Sequence, residues 1–416
     1  MRTATVLRIN SFLAGKYFYG IALLVVLAAA YTFRSTSEMS PVFTVPFFSG
    51  AANFQPGAGW RYAVEEVFRY DELSPGARGD YRFRQFPDAA LVPYSHNNPG
   101  LLYHILVAKR LFFWLGDVNA LKCYQALVHL LVCGVALALL RKPLHRVLFL
   151  LGYAANPLVI YFVTFPFYYF WQVLPSLAVV VLLGYRKKLH PAAAALLAAA
   201  MALALVTRPT VLFAVLFCFV LLLRTGWRNV AAAGATFALV TLLLYAPASN
   251  KTVWHTIYVG VGAYPNPYMQ GLSDNNGVEL FRRRTGITLS NSPGGNFHEP
   301  VLFKRYDALL RDEYLSILRQ SPLLLVKNAC LNFGQAFSAG YFVDYPRWVS
   351  YVSAAFGLVF CFLLVRYRLL LWALAIAATT LSFFPYFPPI QAYMFGSYLL
   401  LVMAFIALLE KINQTT

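Results

Sequence analysis

The charges of this chain fall in a pattern that fixes its solvent: long apolar stretches alternate with short basic loops and two long polar segments. Only 12% of the 416 residues are charged and 60% are apolar, with a mean hydropathy of +0.60. Those values are far from a water-soluble domain of this length. A helix needs about 20 mostly apolar residues to cross a bilayer core. On that basis about ten spans are expected, near 17–33, 119–140, 147–164, 168–185, 191–206, 209–224, 229–246, 347–365, 369–387 and 391–409. The fold class is therefore an all-α integral membrane protein, a single membrane domain over 1–416.

Lys and Arg in short loops stay cytoplasmic during insertion, and this sets the orientation. Arg2, Arg8 and Lys16 precede the first span; Arg141, Lys142 and Arg146 follow the second, and Arg186, Lys187 and Lys188 follow the fourth. Arg224 and Arg228 lie after the sixth, and Arg366 and Arg368 after the eighth. Every second loop is basic, which puts both termini in the cytoplasm. Nearly all acids, from Glu38 to Asp344, fall on the other side, with Glu410 at the C-terminal end. The long segments 34–118 and 247–346 are thereby assigned to the extracytoplasmic face.

The same topogenic residues explain much of the net charge of +18, so it does not point to nucleic acid. The five cysteines show neither CxxC nor Cys/His ligand spacing, which gives no basis for a zinc site or a disulfide framework. The first apolar run is long, lacks a convincing small-residue cleavage site before the polar loop, and reads as a signal anchor. No repeat divides the chain into paired halves, whereas transporters often carry them. Two unequal polar segments favour an enzyme whose chemistry lies on one face.

In the first outer segment, Gly59 to Leu73 (GWRYAVEEVFRYDEL) reads as one amphipathic helix, with Trp60, Val64, Val67 and Phe68 on one face and Arg61, Glu65, Glu66 and Arg69 around the other. Farther on, Tyr94 to Gly116 (YSHNNPGLLYHILVAKRLFFWLG) runs from a polar turn at Pro99 into a second amphipathic helix, whose Lys109 and Arg110 argue against a simple span.

With its N-terminal span, its acidic Tyr-containing outer helix and its polar-Pro-Leu-Tyr turn opening a juxtamembrane helix that ends in Leu-Gly, the chain resembles the polyprenyl-phosphate-sugar-dependent glycosyltransferases of the GT-C superfamily. Within that superfamily it is similar to the protein mannosyltransferase and lipid A aminoarabinose transferase group. Ala155-Asn156-Pro157-Leu158, Phe165-Pro166-Phe167, Thr207-Arg208-Pro209-Thr210 and the late FFPYFPPIQAYMFGSYLLL agree with it. The likeness implies a GT-C-like fold in a bacterial inner membrane, a polyprenyl-phosphate-linked sugar as donor, and a lipid, glycan or protein as acceptor. No cofactor is expected; a divalent metal is an open alternative that the sequence does not indicate. The departures are specific. Ala58, Gly59, Trp60 and Arg61 stand where the family carries an early Asp or Glu, and His96-Asn97-Asn98-Pro99 replaces a Lys or His followed by two prolines. Gln391-Ala392-Tyr393 lacks the basic residue beside Tyr.

Sugar transfer to a hydroxyl needs a carboxylate to take the proton and cationic or hydrogen-bonding groups to hold the departing phosphate. Glu66 is the first candidate base, with Glu65, Asp71 and Glu72 as rivals; Glu65 could equally pair with Arg69 on a solvated face. His96 with Asn97, at the family's turn position, and Arg208, at an outer membrane boundary where an unpaired charge is costly, are candidate phosphate contacts. An interfacial arginine snorkelling to headgroups is the alternative for Arg208. In the second outer segment, Tyr264 belongs to an aromatic and amide-rich stretch suited to covering a sugar, Asp274 opens an Asp-Asn-Asn-Gly run, and Arg282 heads three adjacent arginines that could steer an anion. Tyr168 to Trp171 read as an interface belt, with a lipid groove as the other possibility. A polymerase or ligase using a diphosphate-linked donor, or a lipid or polysaccharide transporter, are the competing functions.

Overall fold

The computed structural model describes residues 16–35, 40–55, 59–93, 98–184, 189–244, 253–290 and 295–415. Its architecture is nearly all helical. In chain order the helices are α1 (Lys16–Thr32), α2 (Pro41–Ala52), α3 (Val64–Asp71), α4 (Pro75–Asp80), α5 (Gly100–Leu111), α6 (Asp117–Leu139), α7 (Pro143–Phe149), α8 (Pro157–Thr164), α9 (Val173–Gly184) and α10 (Pro191–Thr207). They continue as α11 (Leu212–Leu222), α12 (Trp227–Leu244), α13 (Val253–Gly260), α14 (Asn275–Thr285), α15 (Pro300–Gln320), α16 (Pro322–Ala336), α17 (Arg347–Arg366), α18 (Leu370–Thr380) and α19 (Gln391–Thr415). One small antiparallel hairpin pairs β1 (Arg61–Ala63) with β2 (Leu91–Pro93), Tyr62 opposite Val92.

Among the described residues, four helices are long and apolar enough to cross a membrane: Asp117–Leu139, Trp227–Leu244, Arg347–Arg366 and Gln391–Gln414. Pro143–Ala154 and Pro157–Thr164 qualify together as a fifth, bent by 51°. The bend has a local cause. Pro157 has no N–H to continue the helix, and Asn156 caps the new start by accepting the Leu158 N–H at 3.0 Å. Other segments expected to span fall on shorter apolar helices, Tyr17–Thr32, Tyr168–Gly184, Pro191–Thr207, Pro209–Thr225 and Leu370–Thr380.

Close helix approach is bought with small residues, as is usual in bilayers. The alanine-rich α10 packs chiefly on α12, through Ala194, Ala198 and Ala233, and Asn229 of α12 donates to the Leu189 carbonyl at 2.9 Å. Where α16 meets α17, a Cβ on Gly334 would stand 2.5 Å from the Ala354 carbonyl oxygen.

Two expectations for the first outer segment change. The stretch 59–73 is not one helix: Arg61–Ala63 is drawn into the hairpin and the helix starts at Val64. Its buried face carries Glu66, Val67 and Tyr70, while Phe68 is exposed. Pro41–Ala52, in a segment read as polar, is an apolar helix buried along Thr44 to Ala51 that packs against β1, α3 and α5. In the second outer segment, α15 buries Tyr306, Leu310 and Ile317 and packs on α13.

Candidate active site

The turn after α10 is set by Pro209, which disfavours helical geometry in the residue before it. Arg208 accordingly leaves the helix with φ −145° and ψ 91°, and Pro209 opens a 3-10 turn, Pro209–Val211, into α11. The Arg208 side chain enters a box of rings. Its guanidinium carbon lies 4.7 Å from the centre of Tyr168, 5.4 Å from Tyr169 and 4.6 Å from Tyr393, within cation–π range.

Among the described residues Arg208 is the one buried arginine or lysine, 6% exposed. No described carboxylate is within ion-pair distance of it, and its Nε has no hydrogen-bond acceptor. The guanidinium also hydrogen-bonds the Tyr168 and Tyr393 side chains, while its Nε–H remains a donor for an anion.

Several sequence motifs meet here. Tyr168 and Tyr169 stand in the 3-10 turn Tyr168–Gln172, which Gln125 holds by donating to the Phe167 carbonyl at 3.0 Å. Gln172 joins that turn to the start of α19, donating to Tyr169 and Ala392 carbonyls at 3.1 and 3.0 Å. Tyr393 is packed by Phe383 and Phe387 of the late motif. Ser382 donates to the Thr210 carbonyl, and Tyr386 to the Ser382 carbonyl. The Asn98-Pro99-Gly100 end of the polar turn is buried against the same place: a Cβ on Gly100 would lie 2.7 Å from Thr207 Cα. His96 and Asn97 themselves lie outside the described residues.

A second centre forms around Glu66. This residue is fully buried, and its two carboxylate oxygens accept from the Tyr81 hydroxyl at 3.1 Å each, with the Arg84 N–H 3.5 Å away. Burial and the neighbouring Glu66 charge push the Tyr81 phenol up to about 12, so it stays a donor at neutral pH. Tyr70 and Phe83 complete the aromatic surroundings. No described cation pairs with Glu66. Its rivals are placed otherwise: Glu65 pairs with Arg69, Asp71 with Arg78 at 3.2 Å, and Glu72 is exposed at the end of α3.

Sequence reasoning passed over three contributors. Asp117 is the other buried carboxylate among the described residues; it accepts from Lys109 at 2.7 Å and from the Phe83 N–H at 3.0 Å, while its own N–H donates to the Tyr81 carbonyl at 2.9 Å. It thus fixes the extended segment that presents Tyr81, and Lys109, read as a bar to membrane insertion, is its partner. The second contributor is Tyr81 itself. The third is α2, whose consecutive Phe47 and Phe48 link the two centres: Phe48 stacks on Phe83 at 5.4 Å and Phe47 approaches Tyr168 at 6.4 Å. Tyr168 and Tyr169, read as an interface belt, frame Arg208 instead.

The second outer segment joins the late motif through backbone contact of Gly260 with Tyr386. Its three candidates are each engaged locally. Tyr264 is buried and donates to Asn332 Oδ1 at 3.2 Å, while Asn332 donates to the Phe384 carbonyl at 3.0 Å. Burial raises the Tyr264 phenol far above its ordinary value. Asp274 is exposed and faces His255 Nε2 at 3.4 Å; the hydrogen bond from that imidazole lowers its carboxyl below the usual range. His255 Nδ1 lies 2.6 Å from the Tyr306 hydroxyl. Arg282 is exposed and forms a two-point pair with Glu279 at 2.9 and 2.8 Å; Arg283 also reaches Glu279 at 3.6 Å and Arg284 reaches Glu313 at 3.3 Å.

Protein-family models, curated proteins and solved structures return no match to this chain.

Proposed function

We propose that the chain is an integral-membrane glycosyltransferase that moves a sugar from a polyprenyl-phosphate carrier to a lipid, glycan or protein acceptor. The observation that carries this reading is Arg208. A buried guanidinium with no described carboxylate partner, at the meeting point of the polar turn, the Tyr168 turn and the late motif, suits a phosphate at a membrane boundary. Fixed charge acts more strongly there than in bulk water.

In the proposed reaction Glu66 takes the proton of the acceptor hydroxyl, and the acceptor oxygen bonds to the anomeric carbon. The bond from that carbon to the phosphate oxygen breaks with inversion, its electron pair leaves on the polyprenyl phosphate, and Arg208 stabilises the charge that develops. Tyr81, protonated up to about pH 12, orients the Glu66 carboxylate. The setting is a bacterial inner membrane crossed about ten times, with both termini cytoplasmic and segments 34–118 and 247–346 outside. The alternating basic loops support that orientation.

The test is sugar transfer in proteoliposomes holding the full chain, a radiolabelled polyprenyl-phosphate sugar and membrane extract as acceptor source. Labelled product that is lost in Glu66→Gln is expected. Transfer only from a diphosphate-linked donor would favour a polymerase or ligase, and label crossing the bilayer unchanged would favour a transporter.

A further inference from the structure

A groove of about 640 Å³ runs between helices well away from Arg208. Its walls are Leu148, Leu151 and Gly152 on one side, Phe356 to Leu363 of α17 on another, and Leu401 to Leu408 of α19 on the third. The lining is apolar throughout, and Phe356, Val359 and Phe405 leave it open at the protein surface. It belongs to the size range of ligand sites.

One end of the groove is cationic. On α17, Arg366 follows Val359 by seven residues and Leu363 by three, so helical geometry puts it on the groove's own face, just past the last lining residue. Arg368 follows with a left-handed φ of 60°. Both are exposed, and neither forms an ion pair with a described residue. Lys411 continues the Leu408 stripe on α19, and the nearby acid, Glu410, is neutralised by Lys142 at 3.3 Å. An apolar channel ending in unpaired guanidinium groups matches an amphiphile with an anionic head and a hydrocarbon tail.

We infer that this groove is a binding site for an anionic phospholipid of the leaflet opposite to Arg208, one acyl chain between α17 and α19 and the phosphate on Arg366 and Arg368. The sugar donor is not the occupant. Tyr393, in contact with Arg208, starts α19, and the groove residues lie about 12 to 22 Å farther along that helix and about a third of a turn around it. A phosphate on Arg208 and one on Arg366 therefore belong to different leaflets. The inference needs only a chain embedded in a bilayer, and stands or falls separately from glycosyl transfer.

The test uses the full chain in detergent, exposed to dioleoyl phosphatidylglycerol or dioleoyl phosphatidylcholine and examined by native mass spectrometry. One retained phosphatidylglycerol is expected. At about five-fold per arginine near a lipid phosphate, its preference over phosphatidylcholine should reach about 25-fold and fall close to one in Arg366→Gln/Arg368→Gln. Leu401→Trp, which narrows the groove without touching the arginines, should lower retention of both lipids while thermal stability is unchanged. Equal retention of the two lipids by the unaltered protein would overturn the proposal, as would an undiminished preference in the double variant. So would displacement of phosphatidylglycerol by equimolar polyprenyl phosphate that disappears in Arg208→Ala, since the groove would then serve the donor.

Discussion

Arg208 and the arginine triplet Arg282 to Arg284 carry the same chemical group in opposite circumstances. The triplet is exposed and satisfied by Glu279 and Glu313 at 2.8 to 3.6 Å. Such surface pairs contribute little to stability and are screened by salt. Arg208 is 6% exposed and meets tyrosine rings in place of carboxylates. The larger concentration of charge thus belongs to a solvated helix, and the one buried guanidinium among the described residues is the group we propose for the phosphate. The three carboxylates of α3 divide in the same way: Glu65 and Asp71 have arginines, whereas Glu66 has a phenol and an N–H.

The carboxylate side of this contrast carries the largest expected effect. Glu66→Gln should lower turnover by ~10²–10⁴-fold with little change in donor binding, and Glu65→Gln should leave turnover near the original. Equal losses in the two variants would erase the distinction between a buried and a paired carboxylate.

The helical class and most apolar segments were legible in the sequence because hydropathy and the Lys/Arg alternation act over tens of residues. Pro41–Ala52 was not, since a helix buried on nearly all sides has no polar stripe and its twelve residues are too few for a span. In α3 the buried face runs through Glu66, Val67 and Tyr70, and Trp60, counted as part of the helix, lies before β1. Arg208 and Glu66 could be named from residue type and position. Tyr81, Tyr393 and Asp117 could not be joined to them, because Asp117 acts on Phe83 across 34 positions and Tyr393 meets Arg208 from the far end of the chain. The three arginines look like an anion site in sequence, where the paired Glu279 and the distant Glu313 carry no visible assignment.

A smaller effect probes the packing that brings the polar turn to Arg208. Gly100→Ala forces a methyl group against the Thr207 backbone and should destabilise by ~1–3 kcal/mol. Thermal unfolding and donor affinity should fall together; a variant as stable as the original would remove that close approach from the account.

At the second outer segment, charge coupling should appear in the pH dependence of stability. Asp274 has its carboxyl lowered by the hydrogen bond from His255. Its contribution is therefore present above the unfolded carboxylate pKa and is lost as pH falls through the lower folded value. Asp274→Asn should flatten the acid limb of a melting-temperature profile slightly, the carboxylate being exposed. An unchanged profile would remove the coupling. The smallest change is expected for Arg282→Ala, within about 0.5 kcal/mol of the original stability and with normal turnover.

The most direct measurement is the affinity of the full chain, in nanodiscs, for polyprenyl phosphate without its sugar, compared across Arg208→Ala, Arg208→Lys and Arg282→Ala. Loss of a buried charge-assisted contact should weaken binding at least ~10-fold in Arg208→Ala. Arg208→Lys should fall between, since a point charge replaces part of a planar fork, and Arg282→Ala should bind as the original does. Unaltered binding by Arg208→Ala, or an equal loss in Arg282→Ala, would contradict the assignment of Arg208 to the phosphate.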